Sequence, residues 1–223
     1  MNREPITYIE RVPRCGKLEE CPILLLLHGW AMYKEHLFEM TKNFDPRWRI
    51  ISLSAPVRMG PGAYRWFDFE RTPDIGPIID DKEEQESLAQ LVEIIEQFAR
   101  QSPLGKVNLL AHSQGGSMSL SATLQNPHLI ASCADVNGRV LNKVKEAVKG
   151  SDVLSGISFF HGHGTNNSIV PISIGRQSVE YISQLGGDIS SKEYPIDHEI
   201  TEKSLSDIAS WHVEIIARQI SNI

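Results

Sequence analysis

Two hydrophobic rhythms alternate along the chain. Short apolar runs bounded by Gly, Pro, Asn or Asp read as strands, and apolar residues at three- and four-residue intervals read as helix faces. Ile6 to Val12 has β-rich composition and suits an edge strand, and Pro22 to Leu27 is apolar on both faces, as a central parallel strand requires. Leu37, Phe38, Met40 and Phe44 give Lys34 to Phe44 a helical face, and Arg49 to Leu53 is the next strand. Glu83 to Gln101 places Leu88, Leu91, Val92, Ile95 and Phe98 on one side of a helix. Further strands are expected at 106–111, 129–136, 157–160 and 189–194, with helices at 117–124, 140–148, 172–185 and 201–220. This alternation predicts an α/β fold, a mainly parallel central sheet flanked by helices.

Residues 55–81 break the rhythm. They contain Pro56, Gly60, Pro61, Gly62, Pro73, Gly76 and Pro77, together with an aromatic stretch from Tyr64 to Phe69. Long loops in compact domains often carry function, so this one is expected to form a wall or partial lid over a site. The plainer reading is a surface loop anchored by its own aromatics.

The junction at Ala111-His112-Ser113-Gln114-Gly115-Gly116 links an apolar strand to a buried helix. A serine on such a sharp strand-to-helix turn projects its Oγ, and the residues two before and two after must be small. They are Ala111 and Gly115, which gives a nucleophile elbow with its first glycine relaxed to alanine. Read by itself, a serine before glycines is more often a helix N-cap than a nucleophile. His28-Gly29-Trp30-Ala31 follows the central strand and offers an oxyanion loop, or simply a core histidine and a turn. Ligands of open α/β sheets bind beyond the carboxyl ends of strands. His28, Ser113, Asn167 and His198 all follow expected strands and should gather on one rim. The order nucleophile, orienting residue, base along the chain is the α/β-hydrolase order.

Several pieces in sequence order make a more specific pattern than any one of them. They are Leu27-His28-Gly29, Ala55-Pro56, Trp66-Phe67-Asp68, Ser113 to Gly116, His163-Gly164 through Val170-Pro171, and Asp197 to Ile200, followed by Asp207-Ile208 and Trp211. In these the chain resembles the phospholipase/carboxylesterase family of α/β-hydrolases, which includes small bacterial carboxylesterases and acyl-protein thioesterases. The resemblance implies the α/β-hydrolase fold and an esterase acting on acyl esters, or on thioesters or lysophospholipids, through an acyl-enzyme on Ser113. It implies His198 as general base, backbone N–H groups of Trp30 and Gln114 as oxyanion hole, and substrate contacts from His28, Trp66 and Phe67.

One departure bears on the chemistry. The family's triad aspartate stands four residues before the proline of Val-Pro, and here that position is Asn167. A base must have its Nδ1–H accepted and its positive charge offset, and an amide does only the first; losing the carboxylate of a serine protease triad costs about 10⁴ in kcat. Three outcomes stay open. Asn167 orients His198 in a slow enzyme, or another carboxylate substitutes, or the pocket binds a ligand without catalysis. Among substitutes Asp135, from the preceding strand, is favoured over Asp197, which adjoins His198 and is expected to point elsewhere.

Composition narrows the remaining classes. At 223 residues the chain is long enough for one substantial core, and residues 1–223 are read as a single domain. A net charge of −6 with no basic run argues against a nucleic-acid partner. The N-terminus lacks the apolar stretch of a signal peptide, and no apolar run reaches membrane-spanning length. Cys15, Cys21 and Cys133 are odd in number and form no ligand cluster, which suits free thiols in the cytoplasm. His112, His161 and His163 lack carboxylates or cysteines at ligand spacing, so neither a metal nor another cofactor is expected. The expected partner is a small-molecule ester, and a homodimer is compatible with all of this.

Overall fold

A seven-stranded sheet forms the centre of the computed structural model, which describes residues 3–70, 78–148 and 150–221. The main strands are β1 (Tyr8–Arg11), β2 (Ile23–Leu27), β3 (Arg49–Leu53), and, after a run of short strands β4 to β7, β8 (Val107–His112), β9 (Ile130–Val136), β10 (Ser158–Gly164) and β11 (Asp188–Tyr194). Their order across the sheet is β1-β3-β2-β8-β9-β10-β11. Only β1 runs antiparallel, paired with β3, and the other pairings are parallel.

The parallel arrangement follows from the burial each strand demands. Every residue of β2 is buried, and alternate side chains enter two different cores. Leu25 and Leu27 pack with Leu91, Phe98 and Met118 under α2 (Asp81–Ala99) and α3 (Gln114–Gln125). Leu24 and Leu26 pack with Leu37, Ile208 and Ile216 under α1 (Lys34–Met40) and α6 (Glu202–Ile220). The short α4 (Asn142–Ala147) and the longer α5 (Ile172–Gln184) close the first face. Asp80 caps α2, its side chain accepting from the N–H groups of Lys82 and Glu83 at 3.1 and 3.0 Å.

Two expectations shift. Helix α1 stops at Met40, and Phe44 packs beyond its end against α6. The segment expected to be irregular contains β4 (Val57–Gly60) and β5 (Ala63–Arg65), an antiparallel pair joined through Gly62 at φ 66°, and then β6 (Phe69–Glu70) paired with β7 (Ile78–Ile79). Pro73, Gly76 and Pro77, also expected in that loop, lie outside the described residues. Among the described residues no helix is long and apolar enough to cross a membrane.

His212 on α6 is buried among Phe44, Trp48 and Trp211, its ring centroid 5.9, 5.4 and 4.9 Å from theirs. Neither ring nitrogen finds a hydrogen-bond partner. Burial therefore lowers its pKa from 6.5 to about 3. The unfolded chain takes up this proton first as the pH falls, so the stability contributed by neutral His212 is full above about pH 6.5 and drains towards pH 3. His212→Phe keeps the aromatic packing and removes the titration. Urea denaturation of this variant should show a stability loss between pH 6.5 and 4 that is shallower by about 1.4 kcal/mol per pH unit. An unchanged slope would contradict this assignment.

Candidate active site

The turn from β8 into α3 holds Ser113 at φ 56° and ψ −117°, a backbone conformation that few residues other than glycine adopt. Such a residue persists only where its surroundings over-determine it, at a cost of roughly 1–3 kcal/mol. Here α3 is pressed onto the end of β2. A Cβ on Gly115 would stand 2.6 Å from the His28 carbonyl oxygen and closer still to that of Leu27. Glycine is thus the only residue that permits this approach, and Ala111 beneath the turn is fully buried. The Ser113 N–H donates to the Val136 carbonyl at 2.9 Å, tying the turn to β9.

His198 reaches the serine from the exit of β11. Its Nε2 lies 2.7 Å from Ser113 Oγ, and its Nδ1 lies 3.0 Å from Asn167 Oδ1. Asn167 comes from the exit of β10, where glycine at 164 allows the 196–198 loop to cross. A Cβ there would meet the Ile196 carbonyl oxygen at 2.5 Å and come nearer still to that of Asp197. His112, beside the serine, donates from Nε2 to the His198 carbonyl at 3.0 Å. Burial first, and the neighbouring His198 second, lower the His112 pKa to about 4, so it holds the His198 backbone as a neutral ring. Ser113, His198 and Asn167 are therefore brought together in one hydrogen-bonded array.

The group that faces His198 Nδ1 in this array is the amide oxygen of Asn167 rather than a carboxylate. Asp135 is fully committed elsewhere: it accepts from His161 Nδ1 at 2.9 Å and from the Gly138 N–H at 2.9 Å. This packing removes Asp135, the favoured candidate should another carboxylate substitute, since the ring of His161 occupies it. Asp197 accepts from the N–H of Ser168 at 2.7 Å and from its hydroxyl. These bonds, above all the Ser168 N–H, lower its pKa, with the charge of adjacent His198 a smaller cause. It thus sits in solvent beside the histidine.

The cleft over Ser113 is lined by Trp30, Met32, Phe67, Phe69, Ile79, Ile169 and Val170, with Gln114, Asn137 and Arg139 among its polar members. Phe67 belongs to this wall. His28 and Trp66 do not line it. They are completely buried behind it, which corrects the expectation that they touch substrate. His28 Nε2 accepts from the Ala55 N–H at 3.0 Å and its Nδ1–H donates to the Gly29 carbonyl at 2.7 Å, while burial lowers its pKa to about 4. Trp66 Nε1–H donates to the His28 carbonyl at 2.9 Å. Both residues brace the loop that carries Trp30.

The N–H of Gln114, at the first position of α3, has no acceptor within the helix. That of Trp30 donates to no backbone acceptor among the described residues. Sequence reasoning gave Gln114 only this backbone role. Its side chain also clamps the aromatic wall, accepting from the Trp66 N–H at 3.0 Å and donating to the Phe67 carbonyl at 2.6 Å. Asn137 and Ile169 were not legible as site residues, because each lies in an element whose local pattern reads as ordinary strand or loop, whereas Phe69 and Ile79 belong to the segment 55–81 read as a wall or partial lid. Among the described residues no group of three or more His, Cys, Asp or Glu side chains is placed to hold a metal.

A model of the phospholipase/carboxylesterase family matches residues 10–216, nearly the whole chain. The chain belongs to this family. It is similar to the carboxylesterase SOBER1 of Arabidopsis thaliana, 27% identical with 70% of this chain and 71% of that one covered. A probable inactive carboxylesterase of Oryza sativa is 26% identical, covering 81% of this chain and 77% of its own. The structure of acyl-protein thioesterase 2 from Zea mays superposes with a TM-score of 0.77 over 94% of this chain and 99% of that one, at 15% identity, which establishes the α/β-hydrolase fold. Family membership suggests hydrolysis of esters or thioesters.

Trp66→Phe deletes the hydrogen bond to the His28 carbonyl and keeps the ring's bulk. The loss of one such bond, about 1 kcal/mol, should lower kcat for an ester roughly fivefold with KM unchanged within about twofold. A rise in KM at constant kcat would mean that Trp66 contacts substrate after all.

Proposed function

We propose that this protein is a serine hydrolase that cleaves carboxylic esters of small or medium acyl groups, or thioesters, through an acyl-enzyme on Ser113. One observation carries the reading: Ser113 Oγ stands 2.7 Å from His198 Nε2 on a strained elbow at the floor of an apolar cleft. Asn167 Oδ1 accepts the Nδ1–H of His198, so Nε2 is left as the acceptor for the serine proton. Ser113 Oγ attacks the acyl carbon while its proton passes to Nε2. The N–H groups of Trp30 and Gln114 receive the oxyanion. His198 returns the proton to the leaving alkoxide or thiolate, and water then repeats the sequence to release the acid. Phe67, Phe69, Ile79, Ile169 and Val170 offer the acyl chain an apolar wall. Three unpaired cysteines accord with a cytoplasmic setting.

The amide at position 167 orients the base but does not offset its charge. Turnover should therefore fall well below that of a comparable enzyme with aspartate there, by up to about 10⁴. The same amide favours a second reading, a ligand-binding protein on this fold with no useful turnover. That reading gains interest from the rice relative described as probably inactive.

Steady-state hydrolysis of p-nitrophenyl butyrate separates the two. The serine-hydrolase reading expects measurable turnover that Ser113→Ala abolishes and that His198→Ala reduces by at least about 10³. Turnover no higher than that of Ser113→Ala would favour the binding protein.

A further inference from the structure

Asn137 follows β9 at φ 61° and is completely buried. Its side chain is satisfied at both ends. Oδ1 accepts from the Gly164 N–H at 2.9 Å and from Asn167 Nδ2 at 3.0 Å, and Nδ2 donates to the Glu199 carbonyl at 3.0 Å. Because a backbone N–H can only donate and a carbonyl can only accept, these partners fix which end of Asn137 is oxygen. The same reasoning fixes Asn167, whose Oδ1 accepts from the N–H groups of Ile169 and Val170 at 3.0 and 2.8 Å as well as facing His198. The amino group of Asn167 is left facing the oxygen of Asn137.

A carboxylate at position 167 would present its second oxygen to that same oxygen, acceptor against acceptor. Turning Asn137 over does not relieve the conflict. It would set the Asn137 amino group against the Gly164 N–H and its oxygen against the Glu199 carbonyl, two buried mismatches in exchange for one. His163 Nε2 lies 3.4 Å from the Asn167 amino group, but its N–H is given to the Val170 carbonyl at 2.9 Å. Among the described residues no dedicated donor awaits a second carboxylate oxygen.

We propose that Asn137 makes position 167 an amide site: it is a positioning residue that commits the third member of the Ser113–His198–Asn167 array to a neutral side chain. The kinetic consequence rests on the serine-hydrolase reading, whereas the structural claim does not. Asn167 is then no isolated lesion awaiting reversal, and restoring aspartate there requires a change at Asn137 too.

A double-mutant cycle of Asn137→Ser and Asn167→Asp tests this. A serine hydroxyl can either accept or donate, so it serves an amide or a carboxylate. In the parent background Asn167→Asp should lower Tm at pH 7 by roughly 3–8 °C. In the Asn137→Ser background the same change should cost under about 2 °C or raise Tm. Equal losses in the two backgrounds would overturn the proposal, and this readout needs no turnover. In ester hydrolysis the double variant should exceed Asn167→Asp by at least about tenfold in kcat, with KM within about twofold. Asn167→Asp alone matching the double variant would equally overturn it. Should Asn137→Ser fail to fold, Asn137→Gly suits the positive φ, removes the opposing oxygen, and completes the same cycle.

Discussion

The close approach of α3 to the carboxyl end of β2 is the constraint on which the site depends. It requires glycine at 115, brings the start of α3 beneath the loop after β2, and forces Ser113 into its strained backbone conformation. From that one contact follows the placement of Ser113 at the N-terminus of α3 with Gln114 at its first position. The loop after β2 is braced in turn by buried His28 and Trp66, so Trp30 faces the serine from a rigid support. Burial keeps both His28 and His112 neutral, and each spends its protons on backbone carbonyls. These two histidines thus fix geometry without adding charge.

Charge is where this site differs from the usual serine hydrolase arrangement. A buried aspartate both orients the base and offsets the imidazolium formed as the serine attacks. Here orientation is kept, through Asn167 Oδ1, while the carboxylates nearby are engaged otherwise. Asp135 holds His161 on one side of the sheet, and Asp197 is held in solvent by Ser168. The polar network behind the base runs through Asn137 to Gly164, Glu199 and Asn167. A buried polar network whose oxygen and nitrogen ends are fixed by backbone partners favours one arrangement and resists single replacements. The neutral third member is therefore part of a consistent local design.

The architecture was largely legible in the sequence because each main element buries a continuous or periodic apolar set. The all-apolar β2 could only be a central strand, and α2 carried its face at Leu88, Leu91, Ile95 and Phe98. The elbow was legible for a steric reason, since small residues at 111 and 115 are what the turn demands. What escaped was pairing across distant strand ends. Asn137 and Asn167 stand 30 residues apart, and nothing local to either shows that one amide caps the other. The same holds for His28 and Trp66, whose aromatic character suggested substrate contact until their complete burial placed them behind the wall. The hairpins within residues 55–81 were hidden because Gly and Pro signal a turn without showing what pairs across it.

The central claim is that Ser113 is an activated nucleophile although its base is oriented by an amide. The most direct measurement is intact-protein mass spectrometry after exposure to a fluorophosphonate, followed by mapping of the modified peptide. The account predicts a single stoichiometric phosphonyl adduct on Ser113, formed in the parent protein and absent from Ser113→Ala and His198→Ala. A folded parent protein that stays unmodified, or that is modified equally in Ser113→Ala, would contradict it.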